Sequence, residues 1–165
     1  MNTGKNVLRL IALAAYFASP GAFAQSTADG CITLTSIAEI EQQVVNEKGE
    51  KSSKLVPAST VVPGVEVIWT VTANNVCKKP SDKVTINNAV PAHMSYVANS
   101  ATGPGSDIVY SLDGKIFGAD GQLTVSENGA TRKARADEYK HIRWVFRDSL
   151  QPGATAFARF RAVLN

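Results

Sequence analysis

The chain has 165 residues, of which 44% are hydrophobic and 19% charged, and its formal net charge is +3. This length and apolar content fit one globular domain and exclude a disordered tail. With only two cysteines, the chain is neither a disulfide-dense miniprotein nor a multi-zinc module.

The first 24 residues have the pattern of a secretory signal peptide. Lys5 and Arg9 precede a short apolar run at residues 10–18, and Ala22 and Ala24 fit the small-residue rule of a signal peptidase site. The run is shorter than the ~20 apolar residues that cross a bilayer. We therefore expect an exported protein, periplasmic or extracellular at the cell surface, with no membrane span after cleavage.

We expect the exported protein to begin at Gln25. Removal of the leader takes away Lys5 and Arg9 and lowers the formal net charge from +3 to +1, which gives no argument for nucleic acid as a partner. Intact-mass measurement of the protein recovered from outside the cytoplasm would verify this N-terminus. A mass that still includes Met1 would contradict the export argument.

The exported part is predicted to consist of a flexible N-terminus at residues 25–30 and a single β-sandwich domain at residues 31–165. An oxidising compartment favours a disulfide between its two thiols, Cys31 and Cys77. The alternatives are free or intermolecular thiols, or a zinc site that adds His93 and His141. No two of these four residues have the short spacing of structural zinc ligands.

Alternation of apolar and polar residues with period two predicts strands along the domain. In the first predicted strand, five apolar residues share one parity: Ile32, Leu34, Ala38, Ile40 and Val44. Residues 65–73 alternate likewise, with Ile68 as the single exception. Residues 142–146 carry Ile142, Trp144 and Phe146 on one face, and in residues 154–164 every even position is apolar.

Clusters of Gly, Pro, Asn and Asp separate these runs at intervals that are typical of a sandwich. Only residues 131–139 have a composition that permits a helical turn, and they have no apolar stripe. Seven to nine short strands without helices predict an all-β, antiparallel two-sheet sandwich.

Three segments resemble the bacterial conserved-repeat domain, also called domain of unknown function eleven. They are a Pro-Gly turn and aromatic-centred strand at residues 63–75, a valine-rich strand and Pro-Ala turn at 84–97, and an Ile-Arg-Trp strand with a Leu-Gln-Pro-Gly turn at 142–153. The resemblance implies an immunoglobulin-like β-sandwich of exported surface proteins, for which no catalytic residues are established. Asn88 and Val90 depart from the family's usual Asp and Leu.

The sequence offers few candidates for chemistry. His93 and His141 are the only histidines, and no nucleophile elbow, zinc-protease helix motif or phosphate loop is present. Asp107, Asp113 and Asp120 lack the spacing of a calcium loop, so only folding would bring them together as a calcium site. We expect no catalytic residue, no cofactor and no metal.

Basic and aromatic residues are candidate binding features. Arg132, Lys133 and Arg135 fit either a patch for an anionic polymer or a solvated surface neutralised by nearby acids, and the second interpretation is favoured. Trp69 and Trp144 lie on apolar parities, which favours core aromatics over sugar-stacking platforms.

A candidate interaction face lies on the outward parity of the last predicted strand. It consists of Phe157, Arg159, Arg161 and Val163. The sequence favours a non-catalytic envelope or surface protein that contacts other such proteins, including self-assembly by strand addition. The alternative is an extracellular β-sandwich that binds a glycan or another ligand, and an enzyme is the least favoured class.

Overall fold

The computed structural model describes residues 25–26, 30–45 and 48–165, so the predicted signal peptide lies outside the described residues. Within the described ranges a single 3-10 turn, Ala136–Glu138, falls where the sequence permits a helical turn. The strands of the described residues are β1 (Gln25–Ser26), β2 (Ile32–Val45), β3 (Lys51–Pro57), β4 (Glu66–Asn75), β5 (Thr85–Ala89), β6 (Met94–Tyr96), β7 (Ser106–Ser111), β8 (Thr124–Glu127), β9 (Ala130–Lys133), β10 (His141–Phe146) and β11 (Thr155–Leu164).

The strands form two main sheets. The four-stranded sheet has the order β1-β5-β10-β7, the five-stranded sheet has the order β3-β2-β4-β11-β6, and β8 and β9 form a separate hairpin. All described pairings of strands are antiparallel. The predicted all-β antiparallel sandwich is confirmed, and the short β1 and the β8–β9 hairpin bring the described strands to eleven.

The core lies between the facing sides of the two sheets, where period-two alternation places one parity of each strand. In the four-stranded sheet, β10 buries Ile142, Trp144 and Phe146. In the five-stranded sheet, the buried residues of β4 and β11 include Val67, Val71, Ala73, Ala158, Phe160 and Ala162. These are the parities that the sequence predicted to face the core.

Three buried tyrosines join the sheets. Tyr96 of β6 and Tyr110 of β7 share a hydrogen bond of 3.2 Å between their hydroxyl oxygens, and the rings of Tyr110 and Tyr139 lie 4.7 Å apart. The Tyr139 hydroxyl donates to Asp120 Oδ1 at 2.9 Å. Burial raises the pKa of both Tyr110 and Tyr139, so both phenols stay neutral at physiological pH.

The predicted disulfide between Cys31 and Cys77 is present, with Cα atoms 5.1 Å apart. Cys31 precedes β2 and Cys77 follows β4, and these strands pair in antiparallel fashion from Ile32 opposite Asn75. The start of one strand therefore lies beside the end of the other. The neighbouring Val76 N–H donates to the Cys31 carbonyl at 2.9 Å.

The N-terminus pairs with the four-stranded sheet at two described residues. Gln25 and Ser26 lie opposite Asn87 and Ile86 of β5 as strand β1, and the flexibility of residues 25–30 stays a prediction. Residues 27–29 lie outside the described part of the chain.

Two paired strand segments, here called the β2–β3 arm (residues 41–45 and 51–55), extend the five-stranded sheet along the strand direction. β2 pairs with β4 only as far as Ile40, whereas its pairing with β3 continues from Glu39 to Val45. Gln43 Nε2 donates to Ser53 Oγ at 2.9 Å across the arm. The arm therefore contributes two exposed strands beyond the body of the sandwich.

Candidate interaction surface

The predicted interaction face lies on the outward side of the five-stranded sheet. Phe157, Arg159, Arg161 and Val163 occupy alternate positions of β11, between the buried residues of the other parity. Phe157 is 42% exposed, and it is the most open large apolar side chain of this strand. The structure therefore brings the four residues together, as their parity predicts.

Both arginines of this face are held by neighbours on the same sheet. Arg159 Nε donates to Thr70 Oγ1 at 2.9 Å. Arg161 Nη1 lies 3.2 Å from Glu66 Oε1 and 3.6 Å from Glu41 Oε2. The face thus presents cations whose positions are fixed by pairing, next to an exposed aromatic ring.

Ile68 and Ile37 belong to this outward side, and the sequence assigned neither to the face. Ile68 lies between Arg161 and Glu39 in the strand register and is only 2% exposed, because the long neighbouring side chains cover it. Ile37 is 49% exposed. An apolar residue at an outward position of β2 was the sequence signal that could have assigned Ile37 to the face.

A groove of about 210 Å³ opens beside Phe157, where β11 begins. Its lining comes from the loop before β7, from the end of β10 and the turn that follows, and from the start of β11. The lining residues are Pro104, Gly105, Phe146, Asp148, Ser149, Leu150, Thr155, Ala156 and Phe157.

The structure separates the candidate catalytic and metal-binding residues. His93 is exposed, whereas the His141 ring packs so closely on Gly114 that a Cβ there would lie 2.9 Å from Nε2. The described residues contain no group of three His, Cys, Asp or Glu side chains that could hold a metal ion.

The three aspartates of the candidate calcium site each bind different groups of the protein. Asp107 binds Arg147 at 2.7 Å, and Asp120 accepts the Tyr139 hydroxyl. Asp113 Oδ1 accepts the backbone N–H groups of Lys115 and Ile116 at 2.8 and 3.0 Å, which lower the pKa of this carboxyl.

Two of the three basic residues near β9, Arg132 and Arg135, are paired with acidic side chains. Arg132 lies 2.8 Å from both Glu127 and Glu138, and Arg135 lies 3.1 Å from Asp137. These contacts support the interpretation of a solvated, internally paired surface. The absence of a nucleic-acid partner stays a prediction.

The Glu138 carboxyl should titrate far below its usual range. Hydrogen bonds from the Arg132 guanidinium, and then from the Arg135 N–H, lower its pKa from 4.5 to about 2. Because the folded pKa is depressed, this contact stabilises the fold fully above pH 4.5, and the contribution is lost as the pH falls towards 2. Carboxyl-carbon NMR of the Arg132→Gln variant should show a higher Glu138 pKa, whereas the control Arg147→Gln should leave it unchanged. An equal pKa in both variants would contradict the assignment.

The two tryptophans lie on the core side of their strands. Trp144 is fully buried, which confirms it as a core aromatic. Trp69 is half-buried and packs against the core, with its ring 6.5 Å from that of Phe160.

A scan against models of protein families finds no match, and comparisons with characterised proteins and with solved structures find none either. The resemblance to the conserved-repeat domain therefore stays a prediction. Among the described residues, no helical segment has the length and apolar content needed to span a bilayer.

Proposed function

We propose that the protein is a non-catalytic, exported module of the cell envelope or cell surface that works through contacts with other proteins. The observation that carries this proposal is the outward side of the five-stranded sheet, where Ile37 and Phe157 are 49% and 42% exposed. A broad sheet surface with exposed apolar side chains among fixed charges is typical of protein contact surfaces.

The disulfide supports the exported location in this proposal. Cys31 and Cys77 are bonded, and structural disulfides persist in oxidising compartments outside the cytoplasm. The signal-peptide pattern before Gln25 points the same way. The envelope or the cell surface is the compartment where a contact module with this pattern would meet its partners.

In-cell photo-crosslinking tests the proposal. A photoreactive amino acid at Ile37 should crosslink the protein to other envelope or surface proteins, and fractionation of the adducts should place them outside the cytoplasm. The matched control is the same amino acid at Ile116, which is 72% exposed and lies in the loop whose Phe117 covers Arg143 of the other sheet. This position should give few adducts.

Two results would contradict the proposed function or location. If the Ile37 position gave no protein adduct while the purified protein bound a glycan saturably, the glycan-binding alternative would replace the proposed function. Cytoplasmic adducts alone would overturn the exported location.

A further inference from the structure

The main-chain hydrogen bonds of β11 show which residues face its open side. Leu164 N–H donates to the Val65 carbonyl at 3.1 Å, so even-numbered residues of β11 direct their main-chain groups towards β4. Odd-numbered residues direct theirs to the opposite side, since these directions alternate along an antiparallel strand. On that side Arg159 and Thr102 exchange two hydrogen bonds of 2.8 Å each.

Thr155 and Phe157 continue this open side beyond the contact with Thr102. Their N–H and carbonyl groups point the same way as those of Arg159, and no described residue hydrogen-bonds to them there. The chain leaves β11 at this point, and the space beside the strand is the groove lined by Phe146 and Leu150. We call Thr155–Phe157 with this groove the acceptor edge.

The size and charge of the groove restrict what can enter it. Its volume of about 210 Å³ is below the roughly 300–1,000 Å³ of small-ligand sites, and it suits the side chain of an added strand. Asp148 is exposed on its lining and accepts no hydrogen bond from the described residues. The nearby Arg147 is already bonded to Asp107 by two hydrogen bonds. The acceptor edge therefore suits an extended strand with an apolar side chain beside a cation.

The opposite edge of the same sheet carries such a strand. β3 is the last strand of the five-stranded sheet. Ala58 N–H donates to the Ala38 carbonyl at 2.9 Å, so even-numbered residues of β3 face β2. The odd-numbered residues of β3, among them Ser53 and Leu55, turn their main-chain groups to the free side.

The side chains of β3 complement those of the acceptor edge on both sides of the sheet. Leu55, 38% exposed, is on the outward side of the sheet, as is Phe157. Val56 and Lys54 point to the other side, on which Ala156 lines the groove. Lys54 is exposed and has the charge that complements Asp148.

We propose that the β3 edge of one copy adds to the acceptor edge of a second copy, so that the five-stranded sheets join head to tail. Main-chain hydrogen bonds to Thr155 and Phe157 supply the pairing, as in other strand additions. Lys54 pairs with Asp148 across the contact. Because the two edges differ, the contact is heterologous and repeats into a chain or closes into a ring. This inference rests on the proposed function and names one partner for the contact module.

Sedimentation velocity of the exported protein, from about 10 μM to about 1 mM, tests the contact. We expect reversible association that grows with concentration. Thr155→Pro removes an outward N–H at the first residue of β11, a position where proline is tolerated, and should weaken association about tenfold. Thr155→Val, which keeps the N–H, is the matched control and should behave like the parent protein.

Charge reversal tests the pairing of Lys54 with Asp148. Lys54→Glu and Asp148→Lys should each weaken association about threefold, and an equimolar mixture of the two variants should recover it. A protein that stays monomeric to about 1 mM, or equal association of the Thr155→Pro and Thr155→Val variants, would overturn the inference. Crosslinking at Ile37 probes the outward face of the sheet and not the acceptor edge. Its outcome is therefore independent of the sedimentation result.

Discussion

Replacement of Trp144 by alanine should lower the free energy of unfolding by about 3–5 kcal/mol. The indole is fully buried and its ring centroid lies 6.2 Å from that of Phe160 on the facing sheet. Its Nε1 also donates to the Thr102 carbonyl at 3.1 Å. Alanine would leave a cavity between two hydrogen-bonded sheets and remove one of the two donors to the Thr102 carbonyl, which keeps the Arg159 N–H. A rigid sheet cannot collapse fully into such a cavity.

Urea unfolding of Trp144→Ala beside Trp69→Ala measures this effect. Trp69 is only half-buried, so its replacement should cost clearly less. Gly103→Ala supplies a second control because a Cβ at Gly103 would lie 2.6 Å from Trp144 Cδ1. This overpacking should cost about 1–3 kcal/mol in the parent protein and less when Trp144 is already alanine, because only the 2.9 Å contact with Ser106 Oγ then remains. A loss for Trp144→Ala within the ±0.5 kcal/mol of surface substitutions would mean that the side chain is exposed.

Strand periodicity predicted the faces of β10 and β11 because each inward position of these two strands is apolar. In β11 the even positions, such as Ala158 and Phe160, are buried in the structure. Local alternation was sufficient there, since one side of each strand lies on the core and the other faces solvent. The disulfide was predictable for a different reason: Cys31 and Cys77 are the only cysteines.

Periodicity failed where long-range neighbours decide exposure. Thr70 is polar and on the outward parity, yet it is only 7% exposed because Arg159 bonds to it from a strand 89 residues away in sequence. The tyrosine cluster has the same origin, since Tyr96, Tyr110 and Tyr139 come from three separate elements. These contacts join residues that are distant in sequence, so no local sequence pattern predicts them.

The acceptor edge could not be predicted from the sequence either. The sequence predicted free strand edges as contact sites in general, but it did not give the order of strands in a sheet. The free part of β11 exists because β6 pairs only with Ala162–Leu164 and the chain turns away after Thr102. Strand addition at Phe157 therefore depends on topology, whereas the exposure of Phe157 itself followed from its parity.

Removal of the disulfide should cost about 4 kcal/mol of unfolding free energy. The bond closes a separation of 46 residues, and the chain-entropy model assigns about 4 kcal/mol to a loop of this length. The paired variant Cys31→Ala with Cys77→Ala suits the test because Cys31 is 7% exposed and serine would bury a hydroxyl. Urea unfolding of this variant, beside the parent protein with and without reductant, measures the loss. Equal stability in all three samples would show that the protein lacks the bond.

The size of the stability loss and its distribution over the chain distinguish two ways in which the disulfide can stabilise the protein. If the bond acts on the unfolded chain, hydrogen exchange should accelerate by a similar free energy in amides of both sheets that open only by global unfolding, such as those of Ile142 and Phe160. If it acts as a local clamp, only the start of β2 should exchange faster. Nine residue pairs already join β2 to β4 from Ile32 to Ile40, and Val76 N–H holds the Cys31 carbonyl beside them. The native strands are therefore fixed without the sulfur bridge, so we expect the uniform, global pattern.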